Sequence, residues 1–197
     1  SEVYPIEMVA AYAVFSNRGV YSEPYGITKI EDRYGNILVE YYPKQEEILS
    51  EETAFMMTNL MQKVIDRGTG GSVRWKYNFY HPAAGKTGTT QGWTDAWFVG
   101  FSAQIAAGTW FGIDDPQVSL GKGADGTRAA LPAWARFMKI AHDSLYYSKE
   151  EFQQPEKVQP FSICQVSKEK PTSLCPLGKE LFIQGTEPAR LCKIHRR

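Results

Sequence analysis

The apolar residues of the first half of the chain recur at helical spacing in two segments. Pro5 suits the first turn of a helix, and apolar residues follow at positions 6, 9, 10, 13 and 14, before Asn17 and Gly19 end the pattern. Further on, Ser50 is a favourable N-cap, and a second apolar face continues as far as Gly68. The pattern therefore predicts two amphipathic helices.

A β-hairpin is predicted between these two helices. Residues 27–31 and 37–41 alternate apolar and polar side chains, and Gly35 with Asn36 supplies the turn that joins them. Residues 68–82 show no such periodicity and begin with a glycine-rich stretch. They are expected to form an irregular loop.

Three short alternating runs follow and predict an antiparallel meander. The runs cover residues 83–90, 96–102 and 105–113. After a glycine-rich loop at residues 121–126, Pro132 opens a third helical pattern that is expected to lie across the sheet. Helices packed on one face of an antiparallel sheet make this an α+β fold.

Periodicity fades after residue 147, where Pro, Gln, Lys and Glu become frequent. We therefore divide the chain into a folded portion, residues 1–147, and an extended, irregular C-terminal tail, residues 148–197. The composition, with 43% hydrophobic and 22% charged residues over 197 positions, suits one soluble globular unit.

All three cysteines lie in the tail. Cys164, Cys175 and Cys192 in an irregular segment are typical of an oxidising compartment, with one disulfide and one thiol left over. With His195 they also form a possible zinc ligand set, although their spacing is wide and irregular. We expect the disulfide and keep zinc as the alternative. No cofactor and no metal are expected in the functional site.

Charge and hydropathy exclude several classes of function. The net charge is zero and no basic stripe is visible, so nucleic-acid binding is not expected. No apolar run approaches the roughly 18 to 20 residues that cross a bilayer. The chain starts at Ser1 without a signal-peptide pattern, so we expect it to begin inside a longer protein whose anchoring segment lies elsewhere.

Residues 85–90 read Gly-Lys-Thr-Gly-Thr-Thr and admit two interpretations. A nucleotide-binding loop ends in Gly-Lys-Thr, but it needs a glycine where this chain has Tyr80. It also needs a helix directly after the motif, whereas Gly88 and strand-like residues follow. The context therefore argues against a nucleotide site.

The second interpretation is an edge strand that binds a peptide. Lys86 would place positive charge beside a serine nucleophile, and threonine hydroxyls would bind a carboxylate. Gly88 would let a peptide approach and pair as an added strand, with backbone N–H groups stabilising an oxyanion. A bare Lys-Thr-Gly is a weak signal, and by itself it more often marks an ordinary strand with a surface lysine.

The segments around this motif strengthen the second interpretation. They resemble, in the same order, the transpeptidase domain of bifunctional (class A) penicillin-binding proteins over residues 1–147. The matching segments are residues 1–8, 11–13, 17–19, 86–90, 93–101 (Trp-Thr-Asp-Ala-Trp-Phe-Val-Gly-Phe), 108–115 (Gly-Thr-Trp-Phe-Gly-Ile-Asp-Asp), 119–121, 130–134 and 137–138. Residues 185–188 and Cys192 resemble tails in the same family less specifically.

The resemblance implies an activity and a set of site residues. Family members cross-link peptidoglycan through an acyl-serine formed on a stem peptide ending in D-Ala-D-Ala, and β-lactams acylate the same serine. Lys86 and Thr89 would be catalytic, Lys86 through contact with a serine of the family's second motif and Thr89 through its N–H in the oxyanion hole. The substrate-binding set would be Lys86, Thr87, Gly88, Thr89 and Thr90.

The resemblance also implies a setting for the chain. The expected location is the extracytoplasmic face of the bacterial inner membrane, in a protein that also has a peptidoglycan glycosyltransferase part. The expected partners are the stem peptide, β-lactams and the serine-bearing part of the same protein.

The chain departs from the family pattern because it has no convincing Ser-x-x-Lys and no Ser-x-Asn. Ser119 and Ser167 each precede a lysine by three residues, but they lie in a predicted loop and in the tail. We interpret both as accidental, so the isolated chain is expected to be inactive and to self-associate through exposed apolar surface. The alternatives are a non-catalytic binding module, or part of a serine β-lactamase or D,D-carboxypeptidase.

Overall fold

The computed structural model describes residues 3–115 and 117–195. Four α-helices are present in this part of the chain: α1 (Pro5–Ser16), α2 (Glu51–Asp66), α3 (Ser72–Trp75) and α4 (Leu131–Ser144). The strands are β1 (Val20–Ser22), β2 (Lys29–Glu31), β3 (Ile37–Glu40), β4 (Gln45–Glu47), β5 (Ala84–Thr89), β6 (Asp95–Phe101), β7 (Ala106–Gly112), β8 (Val158–Cys164) and β9 (Leu177–Ile183). Among the described residues, none of the helices has the length and hydrophobicity that crossing a bilayer requires.

The central sheet is the predicted antiparallel meander, with strand order β5-β6-β7. Lys86 pairs with Val99 across β5 and β6, and Val99 pairs with Gly108 across β6 and β7. Strand β5, which carries the Lys-Thr-Gly segment, is therefore an edge strand of this sheet. The predicted strand positions, and the α+β class that they imply, are confirmed.

Helices cover both faces of this sheet, whereas the sequence pattern predicted helices on one face only. On one side, α1 and α2 pack with Phe101 and Met61 in the core. On the other side, α4 packs its Trp134 and Met138 on Phe98. The signal for two covered faces was present in β6, because a strand buried on both faces has an almost continuous apolar run.

Two glycines in the sheet permit this close packing. A Cβ at Gly100 would lie 2.8 Å from Cζ2 of Trp134, and one at Gly108 would lie 2.7 Å from Cγ2 of Val9. The Trp134 indole N–H also donates to the carbonyl of Ala107 at 3.1 Å. Trp134 therefore fixes α4 on the sheet through both packing and a hydrogen bond.

The predicted helices and hairpin form close to the expected positions. The Ser50 hydroxyl accepts the N–H of Thr53 at 3.3 Å and caps α2. Strands β2 and β3 pair as the predicted hairpin, and its turn is closed by Asp32, whose Oδ1 accepts the N–H groups of Tyr34 and Asn36. Strands β1 and β4, which were not predicted, pair beside this hairpin.

The predicted loop is irregular through residue 125, and a helical segment that was not predicted follows it. Residues Gly126–Ala130 form a π-helical turn that leads directly into α4. Oδ1 of Asp125 accepts the N–H groups of Thr127 and Arg128 and caps this turn. Pro132 therefore lies in the first turn of α4, as predicted, but the helical path begins earlier.

The tail is more ordered than the sequence suggested. Strands β8 and β9 pair antiparallel over their full lengths, and β9 contacts α2 through an ion pair of 3.2 Å between Lys63 and Glu180. The expected disulfide is not formed among the described residues, since Cys164 and Cys192 have their Sγ atoms 3.7 Å apart. The strand pattern of β8 was missed because this strand contains Pro160 and its apolar and polar residues alternate poorly.

Candidate functional site

The free edge of β5 presents backbone groups to a ligand. The N–H of Thr90 donates to the carbonyl of Asp95 at 3.1 Å, so the backbone N–H of Thr90 points toward β6. Because residues of an antiparallel ladder alternate in this respect, Thr87 and Thr89 direct their N–H and C=O groups away from β6. The edge therefore has unpaired strand geometry suited to an added extended peptide.

Lys86 reaches this free edge from the α1 side of the sheet. Its side chain is exposed, and Nζ donates to the outward carbonyl of Thr87 at 2.6 Å. Lys86 and Gly88 border a cavity of about 240 Å³ that is otherwise mostly apolar. The cavity is lined by Val3, Met8, Tyr12, Lys86, Thr87, Gly88, Trp97 and Val99.

Thr87 and Thr89 lie on the opposite face of β5. The Thr87 hydroxyl is 3.4 Å from that of Thr69, and the Thr89 hydroxyl accepts the N–H of Gly126 at 3.1 Å. Thr87 is partly buried and Thr89 is exposed, so neither is sealed in the interior. An extended ligand along the edge would thus lie between an ammonium group and two hydroxyls.

Gly126 is needed where the π-helical turn meets β5. A Cβ at Gly126 would lie 2.8 Å from the carbonyl oxygen of Gly88 and 2.4 Å from that of Trp97. A Cβ at Gly88 itself would lie 3.1 Å from Cβ of Trp97. Gly126 therefore lets the turn and the edge strand come within contact distance, whereas Gly88 lies against Trp97.

Thr90 has a different environment from the other two threonines. Its hydroxyl lies 2.7 Å from that of Thr94, and it accepts the N–H of Asp95 at 2.8 Å. The carboxylate of Asp95 accepts the indole N–H of Trp110 at 2.9 Å. Thr90 thus closes the turn between β5 and β6.

A second cavity, of about 570 Å³, lies beside the threonine face and carries two cationic side chains that no sequence motif indicated. Lys76 and Arg128 line it, together with Thr69 and Thr127. The Thr127 hydroxyl and the backbone N–H groups of Arg128 and Thr127 outweigh burial and lower the pKa of Asp125. No local motif marked these residues, because the fold brings them together from two separate segments.

The serine candidates from the sequence do not join this site. Ser119 lies in a loop and donates its hydroxyl to the carbonyl of Gly92 at 2.6 Å, so no helix places Lys122 against it. Ser167 lies in a turn of the tail, close to Cys164. Both remain interpreted as accidental matches.

A serine–histidine pair exists elsewhere, but it is buried. Nε2 of His142 lies 3.0 Å from the Ser102 hydroxyl, and Nδ1 lies 2.8 Å from the carbonyl of Met138. Ser102 also accepts the N–H groups of Gln104 and Ile105. Since Ser102 and His142 are both about 1% exposed, this pair fixes the turn between β6 and β7 rather than meeting substrate.

Comparison with known proteins assigns both portions of the chain. Residues 1–137 match the family model of the penicillin binding protein transpeptidase domain, and residues 154–197 match that of the penicillin-binding protein 1A C-terminal domain. Penicillin-binding protein 1A of Aquifex aeolicus is 37% identical over 97% of this chain and 26% of its own length. That of Clostridium tetani is 35% identical over 95% of this chain and 24% of its own length. The chain thus spans about a quarter of the curated relatives that it matches.

Solved structures give the same assignment. The crystal structure of penicillin-binding protein 1A from Haemophilus influenzae superimposes with a TM-score of 0.87 at 29% identity, over 96% of this chain and 33% of that one. A D,D-transpeptidase domain from Eggerthella lenta, 22% identical, shares the fold with a TM-score of 0.60 over 73% of this chain and 33% of that one. With one family model covering the sheet and helices and another covering the tail, the chain belongs to the penicillin-binding protein transpeptidase family and matches the C-terminal part of its class A members.

Proposed function

We propose that this chain supplies the peptide-binding edge strand of a peptidoglycan D,D-transpeptidase that is acylated by stem peptides and β-lactams. The observation that carries the proposal is the free edge of β5, which has Lys86 on one side and the hydroxyls of Thr87 and Thr89 on the other. Family membership selects this reaction among those that such an edge supports.

The edge is suited to bind and orient an acyl donor. An extended peptide ending in D-Ala-D-Ala pairs with the outward backbone groups of Thr87 and Thr89, and their hydroxyls bind its terminal carboxylate. Lys76 and Arg128, on the same side, add positive charge that attracts this carboxylate. Thr90 supports this arrangement by holding the turn after β5.

The chemistry is acyl transfer to a serine. The serine Oγ attacks the carbonyl of the penultimate D-alanine, the terminal D-alanine leaves, and an amine of a neighbouring stem peptide then takes the acyl group. The N–H of Thr89 donates to the developing oxyanion, and the Lys86 ammonium stabilises negative charge near the nucleophile. The nucleophile comes from outside these 197 residues, since neither Ser119 nor Ser167 is positioned to act.

The same proposal gives the setting of the chain. It works at the extracytoplasmic face of the bacterial inner membrane, joined to the serine-bearing part of its own protein and to a glycosyltransferase part. The isolated chain is expected to be inactive, because binding groups without a nucleophile form no acyl-enzyme.

Labelling with a fluorescent penicillin tests these statements. In the longer protein that contains this chain, Lys86→Ala is expected to slow acylation by about 100-fold or more, and Thr89→Val by about 10-fold. Lys44→Ala, which removes an exposed lysine beside β4, is the matched control and should acylate at the parent rate. The 197-residue chain alone should show no covalent label.

Two outcomes contradict the proposal. Equal acylation rates for the Lys86 and Lys44 variants would remove Lys86 from the site. A stoichiometric penicillin adduct on the isolated chain, located by peptide mapping, would show that it carries its own nucleophile.

A further inference from the structure

Three cysteines and one histidine converge at the end of the tail, outside the site described above. Cys164 ends β8, Cys175 precedes β9, and Cys192 with His195 lies in the last described segment. The three sulfur atoms and a ring nitrogen of His195 all lie within 4.8 Å of one another. We name Cys164, Cys175, Cys192 and His195 the tail cluster.

Backbone hydrogen bonds hold the segments of the tail cluster together. The N–H of Cys164 donates to the carbonyl of Glu169 at 2.9 Å, and that of Cys192 donates to the carbonyl of Lys170 at 2.8 Å. The N–H of Gln165 donates to the carbonyl of Pro176 at 2.9 Å, next to Cys175. The convergence of the three cysteines is therefore built into the backbone.

The separations among Cys164, Cys192 and His195 match those of ligands around a single tetrahedral ion. The Sγ atoms of Cys164 and Cys192 are 3.7 Å apart, and each lies 3.4 Å from Nδ1 of His195. A tetrahedral zinc ion with ordinary bond lengths separates two sulfur ligands by about 3.8 Å, and a sulfur from a nitrogen by about 3.6 Å. A disulfide requires about 2.05 Å between sulfurs, so the geometry is that of a ligand set rather than a bridge.

Backbone N–H groups also donate to two of the sulfur atoms. The N–H of Ser167 donates to Sγ of Cys164 at 3.5 Å, and that of Thr172 to Sγ of Cys175 at 3.3 Å. Such N–H groups orient metal-bound thiolates and disperse their charge.

The tail has little else to stabilise it. Its buried apolar side chains among the described residues are Val158 and Ile163, besides Cys164 and Cys192 themselves. A two-stranded sheet of this kind is marginal in water without further support, and small units commonly gain that support from a structural metal. The tail cluster lies where β8, β9 and the last segment meet.

We propose that the tail cluster binds one Zn²⁺ ion and that this ion holds the C-terminal tail folded. Three thiolates and one imidazole form a complete tetrahedral set, which leaves no open position for substrate. The site is thus structural, and it is independent of the acyl-transfer site on β5.

Metal analysis of the purified 197-residue chain, without added metal or chelator, tests the proposal. About one zinc per chain is expected by plasma mass spectrometry. Cys192→Ser and His195→Asn should lower the bound zinc by at least about tenfold after dialysis against a weak chelator. Lys193→Ser, an exposed change between these two ligands, is the matched control and should retain the metal.

A second variant covers the case in which the serine variant fails to fold. Cys175→His keeps four ligands of suitable type, so it should still bind one metal ion. After exchange with Co²⁺, the parent should show intense tetrahedral d–d bands and sulfur-to-cobalt charge transfer. The Cys175→His variant should show the same bands with weaker charge transfer, because one thiolate has been replaced.

Three results would overturn the proposal. The first is a folded chain that holds no more zinc than Cys192→Ser. The second is a disulfide between Cys164 and Cys192, found by mass spectrometry of the non-reduced chain. The third is stoichiometric iron in place of zinc. Penicillin labelling is a separate measurement, so failure of either proposal is distinguishable from failure of the other.

Discussion

The sheets β5–β6–β7 and β8–β9 are both antiparallel, but different interactions stabilise them. The three-stranded sheet is covered on both faces by helices, with Phe98, Phe101 and Trp134 fully buried. The two-stranded sheet has a small apolar core and depends on the tail cluster at one end. Removal of one large apolar side chain should therefore destabilise the three-stranded sheet, the first sheet, most strongly. Removal of a metal should destabilise the two-stranded sheet, the second sheet, most strongly.

Trp134→Ala is expected to have the largest effect on stability. Trp134 is 0% exposed and contacts both Phe79 and Phe98, so its truncation should lower the free energy of unfolding by about 3–5 kcal/mol. Urea denaturation followed by far-ultraviolet circular dichroism measures this change. Trp75→Ala, at a residue that is 73% exposed, should change the free energy by less than about 0.5 kcal/mol. Similar losses for the two variants would contradict the assigned core.

Zinc removal should affect the second sheet alone. A strong chelator is expected to increase amide hydrogen exchange in β8 and β9 by at least about tenfold, equivalent to about 1.4 kcal/mol of local opening. Exchange in β5, β6 and β7 should stay unchanged, because their protection comes from apolar burial. Hydrogen exchange with mass spectrometry resolves the two sheets, and equal increases in both would show that they are one cooperative unit.

Mild acid should weaken the first sheet through His142. Burial lowers the pKa of His142, and burial with nearby positive charge lowers that of His81, so folding favours the neutral form of both side chains. The unfolded chain binds protons below its ordinary histidine pKa of about 6.5. The contribution of these histidines to the free energy of unfolding is therefore fully present above this pH. It declines as the pH falls toward their lowered pKa values in the folded chain, by at most about 1.4 kcal/mol per pH unit for each histidine.

Denaturation of the chain and of His142→Gln between pH 8 and pH 5.5 isolates this contribution. The variant should be less stable at pH 8, because it disturbs a buried hydrogen-bonded group, but its stability should fall less steeply with pH. Parallel curves for the two proteins would show that His142 does not carry the pH dependence.

Lys63→Gln should have the smallest effect. The ion pair with Glu180 joins α2 to β9, but both side chains are nearly half exposed. Loss of an exposed pair costs about 0–1 kcal/mol and is screened by salt. Measurements of unfolding at low and high salt should show a small difference that disappears at high salt. A large, salt-independent loss would mean that this contact is a main attachment of the tail.

Local patterns predicted much of the first region. Pro5, Ser50 and the alternation around Gly35 act within a few residues, so the ends of α1, the start of α2 and the β2–β3 hairpin followed from sequence. The Lys-Thr-Gly segment was also predicted to lie in a strand, which is β5, because its alternating pattern and its family resemblance agreed. The pairing of β1 with β4 was missed, since its partners are distant in sequence and largely polar.

The tail shows the opposite case. Its cysteines were identified, but the spacing favoured a disulfide, and β8 and β9 were assigned to an irregular segment. The hydrogen bonds that bring Cys164, Cys175 and Cys192 together link backbone groups on three separate turns. No periodic pattern reports such contacts, so the choice between bridge and ligand set needed coordinates.

Sequence alone was sufficient for the class of fold, the Lys-Thr-Gly strand and the family, because these depend on periodicity and on ordered runs of residues. Tertiary structure decided that Lys86 and the two threonines lie on opposite sides of one free edge, and that Arg128 and Lys76 lie beside it. It also decided that four side chains of the tail meet at the spacing of metal ligands. The physical reason is that distances between side chains from separate segments are set by packing and backbone pairing, which no local pattern encodes.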